Sequence, residues 1–353
     1  TADEIRSALL ESLEPIRADL KKILLIVPDI TRNQSGAGLI ANQLYHELEP
    51  DVHVDVLPAL GTHVPMTEEE ASAMYGDIPF DRFIVHNWRN EVTPLGEAPA
   101  DLVREWSEGA MDNAIEIGVN RHLLDESYDL LLSIGQVVPH EVVGMANYTK
   151  NVVVGTGGVG MINNSHYLGA VYGMERLLGR DHSPVRKLYD YAQDHLLKDL
   201  PLVYILTVTT AGAQGINIHG LFIGEDRKAF EEAVALSQEK NIFHVDKPFD
   251  KVVVCLDPEE FHSTWVGNKA IYRTRMAIAD GGELIILAQG VDKFGEDGYE
   301  LAAVNLVREL SQKGVKSENS LCESRDEALK YAKERGIKKL FVISRDGVSE
   351  EEL

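Results

Sequence analysis

Short runs of Val, Ile and Leu alternate with helix-like segments along this chain, and this alternation constrains the fold more than any other feature. Candidate strands lie at 22–28, 52–58, 82–86, 129–134, 151–155, 203–209, 218–223, 251–256, 283–288 and 339–344. Candidate helices lie at 37–48, 67–75, 100–112, 168–179, 184–199, 226–240, 265–279, 299–313 and 325–336. Continuous apolar strands separated by helices are typical of mainly parallel sheets covered on both faces.

A turn-rich stretch, HVDKPFD at 244–250, interrupts this pattern before it starts again. A chain of 353 residues has room for about two domains. We therefore predict two α/β domains with mainly parallel sheets, an N-terminal one at 1–247 and a smaller one at 248–353, with a ligand cleft between them. The first twenty residues predict a charged amphipathic helix rather than a signal peptide.

Charge and cysteine usage exclude several classes of partner and site. The formal net charge of −23 argues against nucleic acid and against an anionic membrane, since both need clustered Lys and Arg. No apolar run approaches the length of a membrane span. The only cysteines, Cys255 and Cys322, provide neither a disulfide framework nor a thiolate metal cluster. A cytoplasmic protein that acts on a small molecule fits these observations.

Polar side chains follow several of the predicted strands, where parallel sheets bind their ligands. They are Asp29, Thr31 and Arg32 after 22–28, His63 after 52–58, His86 at the end of 82–86, and His140 after 129–134. A capping box, Thr67 with Glu70, places His63 in the loop before a helix. Two of these residues have simple structural interpretations as well: His86 packing beside Trp88, and Arg32 pairing with Asp29 at the surface.

The segment PHEVVGMANYTKNVVVGTGGVGMINNSH carries His140, Lys150 and His166 around a glycine-rich turn. Imidazole can ligate a metal or transfer a proton near neutral pH. A lysine amine can bond covalently to carbon once its pKa is lowered. Its glycines, at 155, 157, 158 and 160, allow a tight turn or close approach to a ligand. These residue types together predict a site that combines an amine with two imidazoles.

Common cofactor and hydrolase motifs do not account for this segment. The run GTGGVG has the spacing of a dinucleotide fingerprint after a predicted strand, but no acidic residue ends a strand about 20 residues later. The GK[ST] ending of a phosphate loop is absent, as are HExxH, CxxC and the GxSxG elbow. A less common cofactor is therefore indicated.

An ordered set of motifs resembles the lactate racemase family of nickel-pincer-dependent 2-hydroxyacid racemases and epimerases. The resemblance covers about residues 25–290. Its motifs are PDITR (28–32), GTHVPMTEEE (61–70), IGQVVPHEVVG (134–144), Lys150, the glycine run, SH (165–166) and NKA (268–270). It implies that Lys150 is attached through a thioamide to a nickel-pincer mononucleotide and that His166 ligates the nickel. It also implies that His63 and His140 are paired acid/base groups.

Further roles are implied for cationic residues and for partners. The Asp29/Thr31/Arg32 turn matches the segment that handles the cofactor phosphate or the substrate carboxylate, and Lys269 matches a second-domain lysine that reaches into the cleft. The resemblance implies a 2-hydroxy acid substrate, inverted at C2 by hydride transfer through a 2-keto intermediate. Proteins that make and load the cofactor are implied as partners.

The chain departs from the family at two places. Many members carry S-G-G-x-K-x-x-x-P-G around the lysine, whereas this chain has A-N-Y-T-K-N-V-V-V-G at 146–155. We expect Asn147, Tyr148 and Thr149 to line the pocket differently, and Val266 to replace a polar group. Both departures favour a substrate other than lactate, such as a sugar acid. The residues alone leave open a metal-free carboxylate-binding protein, or a lyase or aldolase that uses Lys150 as a Schiff base.

Overall fold

The computed structural model describes residues 1–212, 215–258, 261–291, 339–344 and 347–352. The chain divides into two compact units, one made of Thr1–Gly61 and Pro65–His244 and the other of Thr62–Val64 and Val245–Leu353. Among the described residues, no helix has both the length and the apolar character needed to cross a membrane.

The larger unit alternates strands and helices, as the apolar pattern predicts. Its elements, in chain order, are α1 (Ala2–Leu13), β1 (Lys22–Val27), α2 (Ala37–Leu48), β2 (His53–Pro58), α3 (Glu68–Tyr75), β3 (Val92–Ala98), α4 (Ala100–Trp106), β4 (Ile115–Asn120), β5 (Leu130–Gln136), β6 (Pro139–His140), β7 (Gly144–Met145), α5 (Thr149–Val153), α6 (Val159–Tyr172), α7 (Pro184–His195), β8 (Leu202–Gly212), β9 (Gly215–Gly224) and α8 (Arg227–Asn241).

A five-stranded sheet in the order β2-β1-β5-β8-β9 forms the centre of this unit. The pairs β1–β2, β1–β5 and β5–β8 are parallel, and β9 joins the edge of β8 in the antiparallel direction. The predicted mixed α/β fold with a mainly parallel central sheet is therefore confirmed. The parallel strands end at one edge of the sheet, and the segments that follow β1 and β5 begin there.

Both faces of the sheet are covered because alternate residues of its central strands enter two different cores. Leu24 and Ile26 of β1 belong to one apolar cluster, together with residues of α5, α6 and α7. Ile23 and Leu25 belong to the other, together with residues of α1, α2 and α3. A strand that is apolar at every position is what burial on both faces requires. The run ILLIV at 23–27 of β1 meets this requirement.

Two of the predicted strands are wrong. Residues 82–86 form the end of a short 3-10 turn, Phe80–Arg82, and a single bridge from Phe83 to Val56. Residues 151–155 belong largely to the helix α5, since the run Val152–Val154 packs into a core that accepts apolar side chains from a helix as readily as from a strand. The antiparallel pair β3–β4 was not predicted. The helix predicted at 168–179 lies earlier in the chain, at Val159–Tyr172 (α6).

The smaller unit contains β10 (Phe249–Cys255), α9 (Thr264–Gly267), α10 (Lys269–Thr274), β11 (Ile278–Leu287), β12 (Lys339–Ser344) and β13 (Gly347–Glu352). Strands β10 and β11 are parallel, and β12 and β13 are antiparallel. A small apolar cluster holds Val266 and Ala270 against Leu256 and Phe261. The helices predicted at 299–313 and 325–336, and Cys322, lie outside the described residues.

Candidate active site

The turn after β1 is a rigid polar element. Asp29, only 5% exposed, caps the 3-10 segment Ile30–Ser35: its Oδ1 accepts from the Thr31 N–H (3.0 Å) and from the Thr31 hydroxyl. The Arg32 Nη1 donates to the carbonyl oxygen of Thr31 (3.0 Å) and to its Oγ1 (3.1 Å). Thr31 thus connects the carboxylate to the guanidinium. The turn presents a fixed cation to anything that binds at this edge of the sheet.

Lys150 lies in the first turn of α5, partly buried, with its amine among charges from other segments. Burial lowers the pKa of Lys150 from 10.5 to about 8; the positive charges of Arg32 and Arg186 lower it further, and the carboxylates of Glu141 and Asp29 oppose the shift. Desolvation disfavours the protonated amine. The chain therefore holds a lysine that is partly neutral near physiological pH.

This shift gives a first testable prediction. At pH 8 about half of the Lys150 amine is neutral, against about one in three hundred for an ordinary lysine. We expect acetylation of Lys150 by acetic anhydride, followed by peptide mass spectrometry, to rise with pH around a midpoint near 8. The exposed Lys187 serves as internal reference. A midpoint above 10 would contradict the burial of the amine.

His166 is held in one tautomer by the helix α6. Its Nδ1 lies 2.7 Å from the carbonyl oxygen of Ile162, one turn earlier, and a carbonyl can only accept, so Nδ1 carries the proton. The lone pair is then on Nε2. Burial and the positive charge of Lys150 lower the pKa of His166, which keeps the ring neutral. A neutral imidazole whose other nitrogen donates to a backbone carbonyl has the usual arrangement of a metal ligand.

His140 has the opposite tautomer. At the end of β6, the Val142 N–H donates to its Nδ1 (3.1 Å), so the neutral ring carries its proton on Nε2. The Glu141 carboxylate lies 3.9 Å from Nδ1, and both side chains are largely buried. His140 can therefore donate a proton from Nε2. To accept a proton at Nε2, the ring must first adopt the other tautomer, with its proton on Nδ1. The nearby Glu141 carboxylate would then stabilise the imidazolium that forms.

Glu141 was not among the residues predicted from the sequence. It is buried at 9% exposure and adjoins His140, and its negative charge acts on both Lys150 and His166. The available signal was its position directly after His140, in a motif already singled out. Through these charge interactions, Asp29, Arg32, Glu141, Lys150 and His166 form one electrostatic group within the larger unit.

The remaining predicted site residues lie in loops or in the smaller unit. His63 is partly buried in the loop between β2 and α3, and the predicted capping box of Thr67 and Glu70 is present at the start of α3. The Gly61 N–H donates to the Gly155 carbonyl (2.8 Å), which ties the start of this loop to the glycine-rich turn. Lys269 is the first residue of α10 and is partly buried.

His86 has a structural role. It is buried, its Nε2 lies 3.1 Å from the Gly157 carbonyl oxygen, and its Nδ1 lies 2.9 Å from the Asn120 side-chain amide. The neutral ring, with its proton on Nε2, satisfies both contacts. Burial lowers the pKa of His86 and favours this neutral form. His86 thus connects the glycine-rich turn to the end of β4 through Gly157 and Asn120.

The glycine-rich turn follows a helix, so the strand that a dinucleotide fingerprint requires is absent before it. A Cβ at Gly155 would meet the Asn151 carbonyl oxygen at 2.3 Å, and one at Gly157 would meet the Val153 carbonyl oxygen at 1.8 Å. These glycines are needed because the turn folds back against the backbone of α5. Their presence needs no nucleotide to explain it.

The expected pocket lining by Tyr148 and Thr149 is wrong. Tyr148 is 2% exposed and stacks on Phe230 in the core, and Thr149 is fully buried with its hydroxyl donating to Gln193. Asn147 and Tyr148 have φ angles of 65° and 58°, a region that favours glycine. The glycine pair of the family pattern thus corresponds here to two side chains on a glycine-like backbone.

The donor set agrees with a metal held mainly by an organic group. Within the part of the chain that the structure describes, no group of three or more His, Cys, Asp or Glu side chains could hold a metal ion. His166 offers one imidazole nitrogen, and Lys150 offers an amine for covalent attachment. These residues fit a nickel-pincer nucleotide, which brings most of its metal ligands with it, better than they fit a free metal ion.

Comparison with known proteins identifies the family of the N-terminal part of the chain. Residues 2–176 match the family described as the lactate racemase N-terminal domain. A lactate racemase of Thermoanaerobacterium thermosaccharolyticum is 24% identical over 300 residues; the match covers 81% of this chain and 64% of that protein's length.

Two solved structures share the fold. The crystal structure of a Thermotoga maritima protein has a TM-score of 0.79 and 24% identity, with coverage of 100% of this chain and 86% of the other. The lactate racemase apoprotein of Thermoanaerobacterium thermosaccharolyticum has a TM-score of 0.65 and 20% identity, with coverage of 94% and 79%. Through its N-terminal domain, this chain belongs to the lactate racemase family.

Proposed function

We propose that this protein is an isomerase that inverts C2 of a 2-hydroxy acid with the help of a nickel-pincer nucleotide. The observation that carries the proposal is the grouping of a lysine amine of lowered pKa with a tautomer-fixed imidazole. Lys150 supplies the attachment point and Nε2 of His166 supplies a nickel ligand. Family membership through the N-terminal domain supports the same reaction class.

The difficulty of the reaction explains why such a cofactor is needed. The hydrogen on C2 is barely acidic beside a carboxylate, so its removal as a proton is unfavourable. When bound, the nickel-pincer nucleotide would supply a reversible hydride acceptor, which avoids a carbanion and leaves a planar 2-keto acid. Such an intermediate would give either enantiomer, according to which of its two faces is reduced.

His63 and His140 are the groups that we assign to the hydroxyl proton. As hydride leaves C2, one histidine accepts the proton of the C2 hydroxyl, and the other returns a proton when the 2-keto acid is reduced on its opposite face. His140 is suited to donation from Nε2, and Glu141 would stabilise the ring when it acts as a base. Two histidines are needed because the two enantiomers present their hydroxyl groups differently.

Cationic residues would hold the anionic groups of the substrate and cofactor. Against a net charge of −23, local cations are needed to bind a carboxylate or a phosphate. We assign this role to Arg32, fixed by Thr31 and Asp29, and to Lys269. A guanidinium can make paired hydrogen bonds to a carboxylate or phosphate, which also orients it.

The substrate class is a 2-hydroxy acid, and Val266 favours one other than lactate. Its side chain is buried in the apolar cluster of the smaller unit, so this position offers no polar group. The argument from Tyr148 and Thr149 no longer applies, because both face the core. Val266 is itself buried in an apolar cluster, so the preference for a longer hydroxy acid, such as a sugar acid, depends only on the sequence difference from the family at this position.

Isotope retention tests the reaction class. Protein produced together with the cofactor pathway is supplied with C2-deuterated lactate, malate, phenyllactate and aldonates, and products are followed by chiral chromatography with mass spectrometry. We expect inversion at C2 with deuterium retained, because hydride does not exchange with water as an acidic proton does. Complete washout of deuterium into solvent during inversion would contradict the proposal. Lactate as the best substrate would contradict only the specificity argument.

A second candidate function, a Schiff-base lyase or aldolase, is favoured by the same lowered pKa of Lys150. Borohydride reduction in the presence of 2-keto acids distinguishes it. Stable trapping of substrate on Lys150, in protein that carries neither nickel nor an adduct, would support the lyase in place of the racemase.

A further inference from the structure

The backbone just before Lys150 adopts an unfavourable conformation. Asn147 and Tyr148 have φ angles of 65° and 58°, and Tyr148 has a ψ of −138°. A positive φ costs asparagine less than a bulky tyrosine, but both residues are strained relative to glycine unless their surroundings hold them. Such strain persists only where neighbouring contacts fix the chain. Residues that hold this pair therefore determine how α5, and with it Lys150, begins.

Arg186 of α7 makes hydrogen bonds to the backbone just before this pair and within it. It is fully buried, and its Nη2 donates to the carbonyl oxygen of Met145 (2.7 Å) and to that of Asn147 (3.4 Å). The two carbonyls belong to residues on the N-terminal side of the strained pair and within it. One guanidinium nitrogen thereby fixes the directions of two of the peptide groups that lead into α5.

Aromatic packing provides a second connection from Arg186 to the same pair. The guanidinium carbon lies 4.4 Å from the centre of the Phe230 ring, and Phe230 stacks on Tyr148 with ring centres 5.1 Å apart and planes inclined by 15°. The cation is thus in contact with one face of a stack whose other member is the strained residue. Backbone and side chain of the segment are both held from α7.

Stability alone is a poor reason for a buried arginine here. Within the described part of the chain, its Nε and Nη1 are buried and have no hydrogen-bond partner. A buried cation with incomplete hydrogen bonding is unfavourable, and apolar side chains of similar size often stabilise such positions better. The hydrogen bonds that its Nη2 donates both go to the segment that precedes Lys150.

We propose that Arg186 is a positioning residue for Lys150: by holding the Met145 and Asn147 carbonyls, it fixes the strained turn that presents the lysine at the start of α5. The proposal rests on the proposed role of Lys150 as the attachment point of the cofactor. The positive charge of Arg186 also contributes to the lowered pKa of Lys150, and this keeps the positioned amine reactive.

The test compares variants by hydrogen exchange of the cofactor-free chain. Arg186→Lys keeps the charge but reaches fewer acceptors. Leu188→Ala, a fully buried position on the same helix, is the matched control for general loss of packing. We expect Arg186→Lys to raise the exchange rate of a peptide covering 144–151 about tenfold relative to Leu188→Ala, since a hydrogen bond to a charged donor is lost. Regions outside this segment should respond alike in both variants.

Rescue provides a readout that a merely structural role would not give. Glycine adopts a positive φ without strain, so Asn147→Gly should restore most of the protection of 144–151 in the Arg186→Lys background. In the otherwise unchanged chain it should have little effect. If Arg186→Lys and Leu188→Ala exchange alike at 144–151, or if Asn147→Gly gives no rescue, the positioning role is wrong.

A loading measurement separates this proposal from the proposed function. Each variant is produced with the cofactor pathway, and the fraction of Lys150 that carries an adduct is read by peptide mapping. We expect this fraction to fall in Arg186→Lys and to recover with Asn147→Gly. An unmodified Lys150 in active, nickel-containing unaltered protein would overturn the proposed attachment. A loaded unaltered protein with an equally loaded Arg186→Lys variant would overturn the role of Arg186 alone.

Discussion

Replacement of Lys150 by alanine is expected to remove both the covalent adduct and most of the nickel, and to abolish racemisation. The reason is that the amine is the only covalent link proposed for the cofactor, while a single imidazole holds nickel weakly. Intact mass and metal analysis of protein produced with the cofactor pathway measure both losses. Lys187→Ala, at an exposed position, is the matched control and should load normally.

His166→Ala should separate the two losses. Without the imidazole, nickel content falls, whereas the organic adduct on Lys150 is expected to remain. Nickel that stays fully bound in His166→Ala would rule out the assigned ligand. An active and nickel-replete Lys150→Ala protein would rule out the attachment point.

The second large effect is expected at the acid/base pair. His140→Ala and His63→Ala should each lower turnover by about 10²–10⁴-fold, the usual contribution of a positioned acid or base. Nickel and adduct should be retained, because neither residue is assigned to the cofactor. Steady-state kinetics in both directions, with metal analysis of the same samples, measure this.

His182→Ala is the control for this pair, because its side chain is 80% exposed and lies outside the grouped residues. In His140→Ala the Val142 N–H loses its acceptor, which costs about 1 kcal/mol of stability. Thermal unfolding must therefore show that the variant is folded at the assay temperature. Near-normal turnover in either histidine variant, with nickel bound, would remove that residue from the mechanism.

The sequence predicted the parts of the fold in which burial and periodicity agree. Strand β1 is apolar from Ile23 onward and β5 begins with three leucines, as expected for strands whose two faces are both covered. The Val152–Val154 run is equally apolar but helical, since a short apolar run has the same composition in a buried helix. The pair β3–β4 was not predicted from the sequence because β3 contains Pro94 and Gly96 and is largely exposed.

Part of the candidate site could be predicted because its residue types are chemically distinctive. Lys150 and His166 were selected as an amine and an imidazole near a tight turn. The structure brings them close enough for the charge of Lys150 to lower the pKa of His166. Arg186 could not be selected, because its contacts with residues 145 and 147 bridge about forty positions and follow no local pattern. The positive φ angles of Asn147 and Tyr148 could not be predicted either, because neither residue type specifies such a backbone conformation.

The parallel pairing of β1 with β5 also bears on when, during folding, the Lys150 amine acquires its charged surroundings. Ile23 pairs with Leu130, so this contact closes a loop of about a hundred residues, and such long-range pairings are slow to form. Arg32 follows β1 and Lys150 follows β5, so the amine enters its charged surroundings only after closure. On an unfolded or newly synthesised chain this lysine is hydrated and protonated like any other. The lowered pKa of Lys150 is consequently a property of the folded chain, and we expect the proposed attachment of the cofactor to follow folding.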